Sequence, residues 1–221
     1  MPTKIVMCWS CGKDSATALW KLQQDPQYAI VGLLTTLTEE YDRVSMSGVR
    51  RELLRRQAAA LDLPVQEVWI PPQCINPVYE ARMGEAVRQL KIDGVEAMAF
   101  GDLFLEDVRQ YRERQMAPTG LSCVFPIWGE ATVPLSRWMI ASGLRATLVC
   151  VDPRQVPSTL AGRAYDEALL AELPPSADPC GERGEFHTFV WDAPNFTAPM
   201  QVLPGKTVER DGFWFADLVA V

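Results

Sequence analysis

The run Ser10-Cys11-Gly12-Lys13-Asp14-Ser15 places two hydroxyls, a glycine, a cation and a carboxylate in six consecutive residues. Those groups suit a polyphosphate. Small residues keep side chains clear of the backbone, both hydroxyls can donate to phosphate oxygens, Lys13 can neutralise charge, and Asp14 can hold Mg²⁺. A second group is Gly101-Asp102, where the glycine lets a ligand approach and the carboxylate can bind Mg²⁺ or orient an amine. The third is Asp178-Pro-Cys-Gly-Glu-Arg-Gly-Glu-Phe-His-Thr-Phe189, which gathers Glu182, Glu185 and His187, the single histidine of the chain. Carboxylates there can capture an ammonium group, and an imidazole can move a proton near neutral pH.

Secondary structure has to position these groups. Residues 4–9 read as a buried strand, and residues 14–24 as an amphipathic helix with Ala16, Leu19, Trp20 and Gln23 on one stripe. The first run then fills a strand-to-helix turn, where free N–H groups and the positive end of the helix dipole converge on one point. The competing explanation is a helix start capped by Ser10 or Asp14 without any ligand. A Walker A loop does not fit, because Met7 stands where its first glycine belongs, and the three spaced glycines of a dinucleotide fingerprint are missing.

Further strands are expected at 29–36, 65–70, 97–101 and 145–151. Val49, Leu53, Leu54, Gln57, Ala58 and Leu61 mark the inner face of one intervening helix, and Asn76-Pro77 caps and opens another that runs to about Leu90. This alternation implies an α/β fold, a parallel sheet wrapped by helices, with ligands beyond the carboxyl ends of its strands. The 10–15 run, Thr35-Thr36 and Gly101-Asp102 all fall at such ends, so Thr36 and Gly101 join the candidate site. The second half is richer in proline and tryptophan, and it closes on a hairpin, 202–210 and 213–219, around Asp211-Gly212. The expected division is a phosphate-binding domain at 1–105 and a smaller C-terminal α+β substrate region at 106–221, packed against it. Glu106, Asp107, Arg109 and Arg112 read as a solvated helix face. So do most of Arg50, Arg51, Arg55 and Arg56, with one near the helix start in reach of a phosphate. Trp128, Trp138 and Trp191 read as core or pocket wall.

With 221 residues, 48% hydrophobic and 22% charged, the chain has the composition of a globular protein with a sizeable core. A net charge of −7 makes nucleic acids and anionic membranes poor partners. No apolar run suits a signal peptide or a membrane span, so a cytoplasmic location and reduced thiols are expected. Cys8 and Cys11 form a C-x-x-C pair, but no second pair completes a zinc site, and the turn already accounts for their position.

Together these stretches resemble the diphthine–ammonia ligase family and its bacterial relatives, a branch of the PP-loop ATP pyrophosphatases. The 10–15 run is similar to the Ser-Gly-Gly-x-Asp-Ser loop of that superfamily, with Cys11 in place of the first loop glycine. Cysteine there is strained only if the position needs positive φ. The other matching runs are Asp42-Arg43-Val44 with Gly48-Val49, 57–64, 101–113, Pro126-Ile127-Trp128-Gly129, 145–152, Gly162-Arg163 and 178–190. Ser47 stands where relatives usually carry histidine.

The resemblance implies a Rossmann-like ATP-binding domain. ATP would lie on Ser10, Cys11, Gly12, Lys13, Asp14, Ser15, Thr36 and Gly101, and Mg²⁺ on Asp14. Asp14, Asp102, Glu182, Glu185 and His187 would serve catalysis. The implied reaction adenylates a carboxylate, releases pyrophosphate and transfers ammonia to leave an amide. Archaeal and eukaryotic members act on diphthine, a modified histidine of an elongation factor. A short bacterial member would act on a small carboxylate, and self-association as a homodimer stays open. Two other classes compete: an adenylating tRNA-modifying enzyme, disfavoured by the negative charge, and a nucleotide sensor without turnover, which has little use for the Glu/His loop.

Overall fold

In the computed structural model, which describes residues 1–221, ten strands and six α-helices form two sheets. The first is mostly parallel. Its strands are β1 (Thr3–Cys8), β2 (Tyr28–Thr38), β3 (Arg43–Val44), β4 (Val65–Ile70), β5 (Ala97–Ala99) and β6 (Ser122–Val124). β1 is central, with β2 and then β4 on one side and β5 and then β6 on the other; the short β3 runs antiparallel to the end of β2. Strand order therefore reverses at β1, which opens a crevice beyond its carboxyl end.

Side-chain alternation along these strands supplies both faces of the sheet. Ile5, Met7, Leu33, Leu37, Ala97 and Ala99 face α1 (Lys13–Gln23) and α2 (Arg51–Ala60). Val6, Leu34, Val68 and Met98 face α3 (Asn76–Ile92) and α4 (Glu106–Met116). The second sheet is antiparallel, in the order β8 (Phe186–Asp192), β7 (Arg145–Val151), β10 (Phe213–Ala220), β9 (Val202–Arg210). It buries Leu148, Val151, Phe186, Phe189 and Leu218 in the same core as α1 and α2, together with Leu135 and Met139 of α5 (Thr132–Ala141) and Leu169 of α6 (Glu167–Glu172). No helix is long and apolar enough to cross a membrane.

The α/β sheet with helices on both faces and the terminal hairpin agree with the sequence. In the hairpin turn Asp211 and Gly212 both take positive φ, 51° and 79°. Four local expectations change. The 145–151 strand pairs antiparallel in the second sheet, and the fifth parallel strand is instead β6. β5 ends at Ala99, so Gly101 lies in the loop beyond it. Gln23 is exposed, because α1 packs on the second sheet as well as the first and is buried around Lys13–Leu19 and Leu22 rather than along one stripe. Asn76 is the first helical residue of α3, with Ile75 preceding it and no side-chain cap.

Gln57 joins the two sheets. Its side chain, fully buried, accepts from the Trp9 indole N–H at 2.8 Å and donates to the carbonyls of Cys11 and Val190. Removing a hydrogen-bond partner inside a core leaves polar atoms desolvated and unpaired, at about 1–3 kcal/mol each. Gln57→Leu, close in volume, is expected to lower unfolding free energy by about 3 kcal/mol in denaturant titrations, whereas a surface glutamine change stays within about 0.5 kcal/mol.

Candidate active site

The turn after β1 is built by contacts from far along the chain. Cys11 takes φ 67°, the left-handed conformation that a glycine would hold without strain. It is tolerated because its thiol is buried in the core and its carbonyl accepts from the Val190 amide at 3.0 Å. Gly12 precedes α1 with no side-chain cap of its own. The Lys13 amide is capped instead by Thr188 Oγ1 of β8 at 3.1 Å, and the Gly12 amide by Ser10 Oγ at 3.2 Å. Ser10 and Ser15 hydroxyls bond to one another at 3.0 Å. The Ser15 amide has no protein acceptor. Gly101 packs against the Asp14–Ser15 peptide, where a Cβ would stand 2.9 Å from the Ser15 nitrogen, so only glycine allows this close approach beside the cavity.

A cavity of about 380 Å³ lies at this point, at the reversal of strand order. Ser10, Gly12, Lys13, Asp14, Ser15, Thr36, Gly101, Asp102, Glu182 and His187 line it, as the sequence leads one to expect. Two expected residues do not. Cys11 points into the core, and Glu185 lies beneath the 178–185 loop, where its carboxylate accepts from the amides of Asp178 at 2.8 Å and Arg183 at 2.9 Å. Asp178 accepts from the Cys180 amide at 2.8 Å. Two of the three acids of this loop thus hold its shape, and Glu182 projects.

The charges are paired locally. Lys13 is 2% exposed, and its amine turns to the Asp14 carboxylate and the Cys180 carbonyl beneath the rings of Tyr165 and Phe186, rather than standing free toward the cavity. Burial disfavours its charge, but the Asp14 carboxylate holds its pKa above the ordinary lysine value. Asp102 is gripped at two points by Arg112, at 2.6 and 3.0 Å, so it is neither a free ligand nor a free base. Arg112, read from sequence as surface charge, lines the cavity. Arg50 pairs with Asp217, Arg51 and Arg55 with Glu67, and Arg56 with Glu52; none of the four reaches the cavity.

His187 and Glu182 exchange the behaviour expected of them. Burial, reinforced by the Lys13 charge, lowers the imidazole to about 4, so it stays neutral near pH 7 and cannot shuttle protons by titrating there. Burial together with the Asp14 and Asp102 charges raises the Glu182 carboxyl to about 7, against the pull of the Leu103 amide, which donates to it at 2.8 Å. Glu182 is therefore the group poised near neutrality. Cys8 borders the cavity, with burial pushing its thiol up to about 12. No three His, Cys, Asp or Glu side chains converge as a metal cluster.

The sequence alone does not mark Thr188, Arg112 or Ser47 as site residues. Thr188 lies in the Glu/His run, and only the pairing of β8 against α1 gives it a role. Ser47 lines the cavity while 4% exposed, and its Oγ has no hydrogen-bond partner.

Residues 3–122 match the family model described as the diphthamide synthase N-terminal domain, and residues 135–219 the diphthamide synthase C-terminal domain. Over 187 residues the chain is 24% identical to a protein named diphthine–ammonia ligase from Schizosaccharomyces pombe, covering 78% of this chain and 31% of that one. The chain thus spans about a third of the length of that curated relative. A solved structure titled as a predicted subunit of tRNA methyltransferase from Methanocaldococcus jannaschii superposes with a TM-score of 0.42 at 15% identity, over 65% of this chain and 77% of that chain.

A carboxyl that titrates at about 7 when folded, against an ordinary 4.5, takes up a proton on folding. Its contribution to stability is therefore most favourable below pH 4.5 and is lost as pH rises to about 7. Glu182→Gln keeps an acceptor for the Leu103 amide and removes that titration. Thermal melts should show the variant more stable than the parent at pH 8 and equal to it at pH 4.5. A gap that does not change with pH would contradict the shift.

Proposed function

The chain belongs to the diphthamide synthase family, and from that premise we propose that it is an ATP-dependent ligase that adenylates a carboxylate, releases pyrophosphate and transfers ammonia to form an amide. The observation that carries this reading is the N-terminus of α1, whose Ser15 amide has no protein acceptor and which borders a cavity of about 380 Å³ beside Gly101. A helix N-terminus with free amides favours a polyanion, and the positive end of the dipole adds to it. The name of the Schizosaccharomyces pombe relative supports an amide-forming ligation with ammonia. The division into residues 1–105 for ATP and 106–221 for the acceptor belongs to the same proposal.

In this reading the triphosphate lies across the Ser10 and Ser15 hydroxyls and the Ser15 amide, between Thr36 and Gly101. Mg²⁺ would sit beside Asp14, which borders the cavity, with the carboxylate shared between the cation and the Lys13 amine that now holds it at 2.8 and 3.1 Å; a hard cation held mainly by phosphate oxygens needs only one or two carboxylates. When bound there it would neutralise charge on the departing pyrophosphate. An acceptor carboxylate oxygen attacks the α-phosphorus, and the bond from that phosphorus to the bridging oxygen breaks. The ammonia nitrogen then attacks the acyl carbon, the bond to the AMP oxygen breaks, and AMP leaves. Glu182, titrating near neutrality, takes the proton released from nitrogen. Neutral His187 and the paired Asp102 and Arg112 orient substrate without adding free charge. Asp178 and Glu185 hold the loop that presents Glu182.

Two measurements test the proposal. ³¹P NMR of the chain with Mg-ATP, ammonium and a panel of carboxylic acids should show AMP and pyrophosphate growing together; ADP and phosphate would reject the ligase reading. Gly101→Ala puts a methyl against the Ser15 amide, and calorimetric titration with a non-hydrolysable ATP analogue should find binding at least about tenfold weaker, or roughly the strength of one hydrogen bond to a charged group. Unchanged binding would move the phosphates away from this turn.

A further inference from the structure

A second cavity, of about 280 Å³, opens between the 38–48 segment and the β9–β10 hairpin. Val44 and Met46 line both cavities, so the two adjoin. Along β9 side chains alternate, and Lys206, Val208 and Arg210 share the face that looks into the second cavity, while Thr207 and Glu209 are absent from its lining. Lys206 forms no ion pair, and neither does Arg210, whose guanidinium lies 4.4 Å above the Tyr41 ring. The third cation of the wall, Arg43, is already bound to Asp217 at 2.8 Å, and Asp217 also takes Arg50. Asp211 is the other acid of the wall. Two unpaired cations beside the apolar surface of Val208 and Phe215 stand out in a chain of net charge −7.

The wall between the cavities is the Ser45-Met46-Ser47-Gly48 segment. Met46 takes φ 67° and is 72% exposed, and Gly48 takes φ 70° with the Phe215 ring 2.8 Å from where its Cβ would stand. The hairpin therefore presses this segment into a conformation that turns Ser47 inward. Its hydroxyl, buried at the edge of the first cavity, has no partner in the protein. Buried polar groups are nearly always bonded, so an orphan hydroxyl in a cavity wall marks where a ligand atom completes the bond.

We propose that the second cavity binds the carboxylate acceptor by a second anionic group, carboxylate or phosphate, held by Lys206 and Arg210. The carbon chain of the acceptor lies on Val208 and Phe215. Its reacting carboxylate passes Met46 and bonds Ser47 Oγ at the edge of the first cavity. The acceptor is accordingly a small compound with two anionic ends, not one with a cationic tail. This inference rests on the reading of the first cavity as the ATP site.

The test uses the whole chain labelled with ¹³C at methionine methyls, with the Met46 signal assigned through Met46→Leu. Glutarate, 3-phosphonopropionate and 4-(trimethylammonio)butyrate are titrated separately. At least one dianion should shift the Met46 methyl saturably, and the tighter of the two names the second anionic group. The trimethylammonium compound should bind at least tenfold more weakly. The double variant Lys206→Ala/Arg210→Ala, altered only at exposed side chains, should weaken the dianion at least tenfold. Absence of a saturable shift with either dianion, an undiminished shift in the double variant, or tighter binding of the trimethylammonium compound would each overturn the proposal. Calorimetry of the ATP analogue on the parent chain separates the two readings. Analogue binding without dianion binding sinks the acceptor cavity alone, and dianion binding without analogue binding sinks the ATP reading.

Discussion

The site depends on the turn between β1 and α1 being stitched to a strand of the other sheet. Val190 donates to the Cys11 carbonyl, Thr188 caps the Lys13 amide, and the Gln57 side chain links Trp9, Cys11 and Val190. A non-glycine residue in the left-handed region costs about 1 kcal/mol or more. The bonds at Cys11 over-determine that conformation, so the strain is held rather than relaxed. Consequences follow at the helix end. Once Ser10 and Thr188 have taken the Gly12 and Lys13 amides, the Asp14 and Ser15 amides are left without an acceptor from another residue at the edge of the cavity. The geometry of the helix end is therefore not a local property of six residues. It is produced by β8, which lies about 175 positions further along the chain, as the Lys13–Thr188 separation records.

The electrostatics of the cavity follow from the same packing. Lys13 is so deeply buried that it needs Asp14 and a carbonyl to remain charged, which removes it from the cavity as a free cation. Asp102 is likewise satisfied by Arg112. With those four charges closed in pairs, Glu182 and His187 respond chiefly to burial. Burial penalises whichever form is charged, so it raises the carboxyl of Glu182 and lowers the imidazole of His187. The same burial thus moves the two groups in opposite directions, and the carboxyl rather than the imidazole is left near neutrality.

How much of this is legible in the sequence depends on the range over which each feature is decided. β4 matches its expected bounds, the inner face of α2 is buried at every expected position, and the hairpin turns at Asp211-Gly212, because alternation, helical period and turn residues are local signals. β6 escaped because a three-residue strand has no period to read. β7 reads as a strand in sequence but joins the second sheet, since an apolar run says that it will be buried and not against what. The cavity was likewise foreseeable from three strand ends, whereas its pairings were not. Residue type marked Asp102, Glu185 and Cys11 as candidates. Only the fold decides that Asp102 is held by a residue ten positions away on α4, that Glu185 bonds amides of its own loop, and that Cys11 points into the core.

The 178–185 loop shows why three acids can be close in sequence and unequal in use. A loop that must hold one carboxyl over a cavity needs its own backbone fixed, and Gly181 and Gly184 supply positive φ angles of 69° and 82° that other residues would resist. Those turns leave amides pointing inward, and Asp178 and Glu185 accept from them. The oxygens of these two carboxylates are thereby committed to the loop's own backbone. Glu182, by contrast, sits where burial and like charges outweigh one strong amide bond, which leaves its carboxyl near neutrality. The loop therefore works as a frame of two committed acids around one uncommitted acid. Exchanging the roles would require rebuilding the turns rather than moving a side chain.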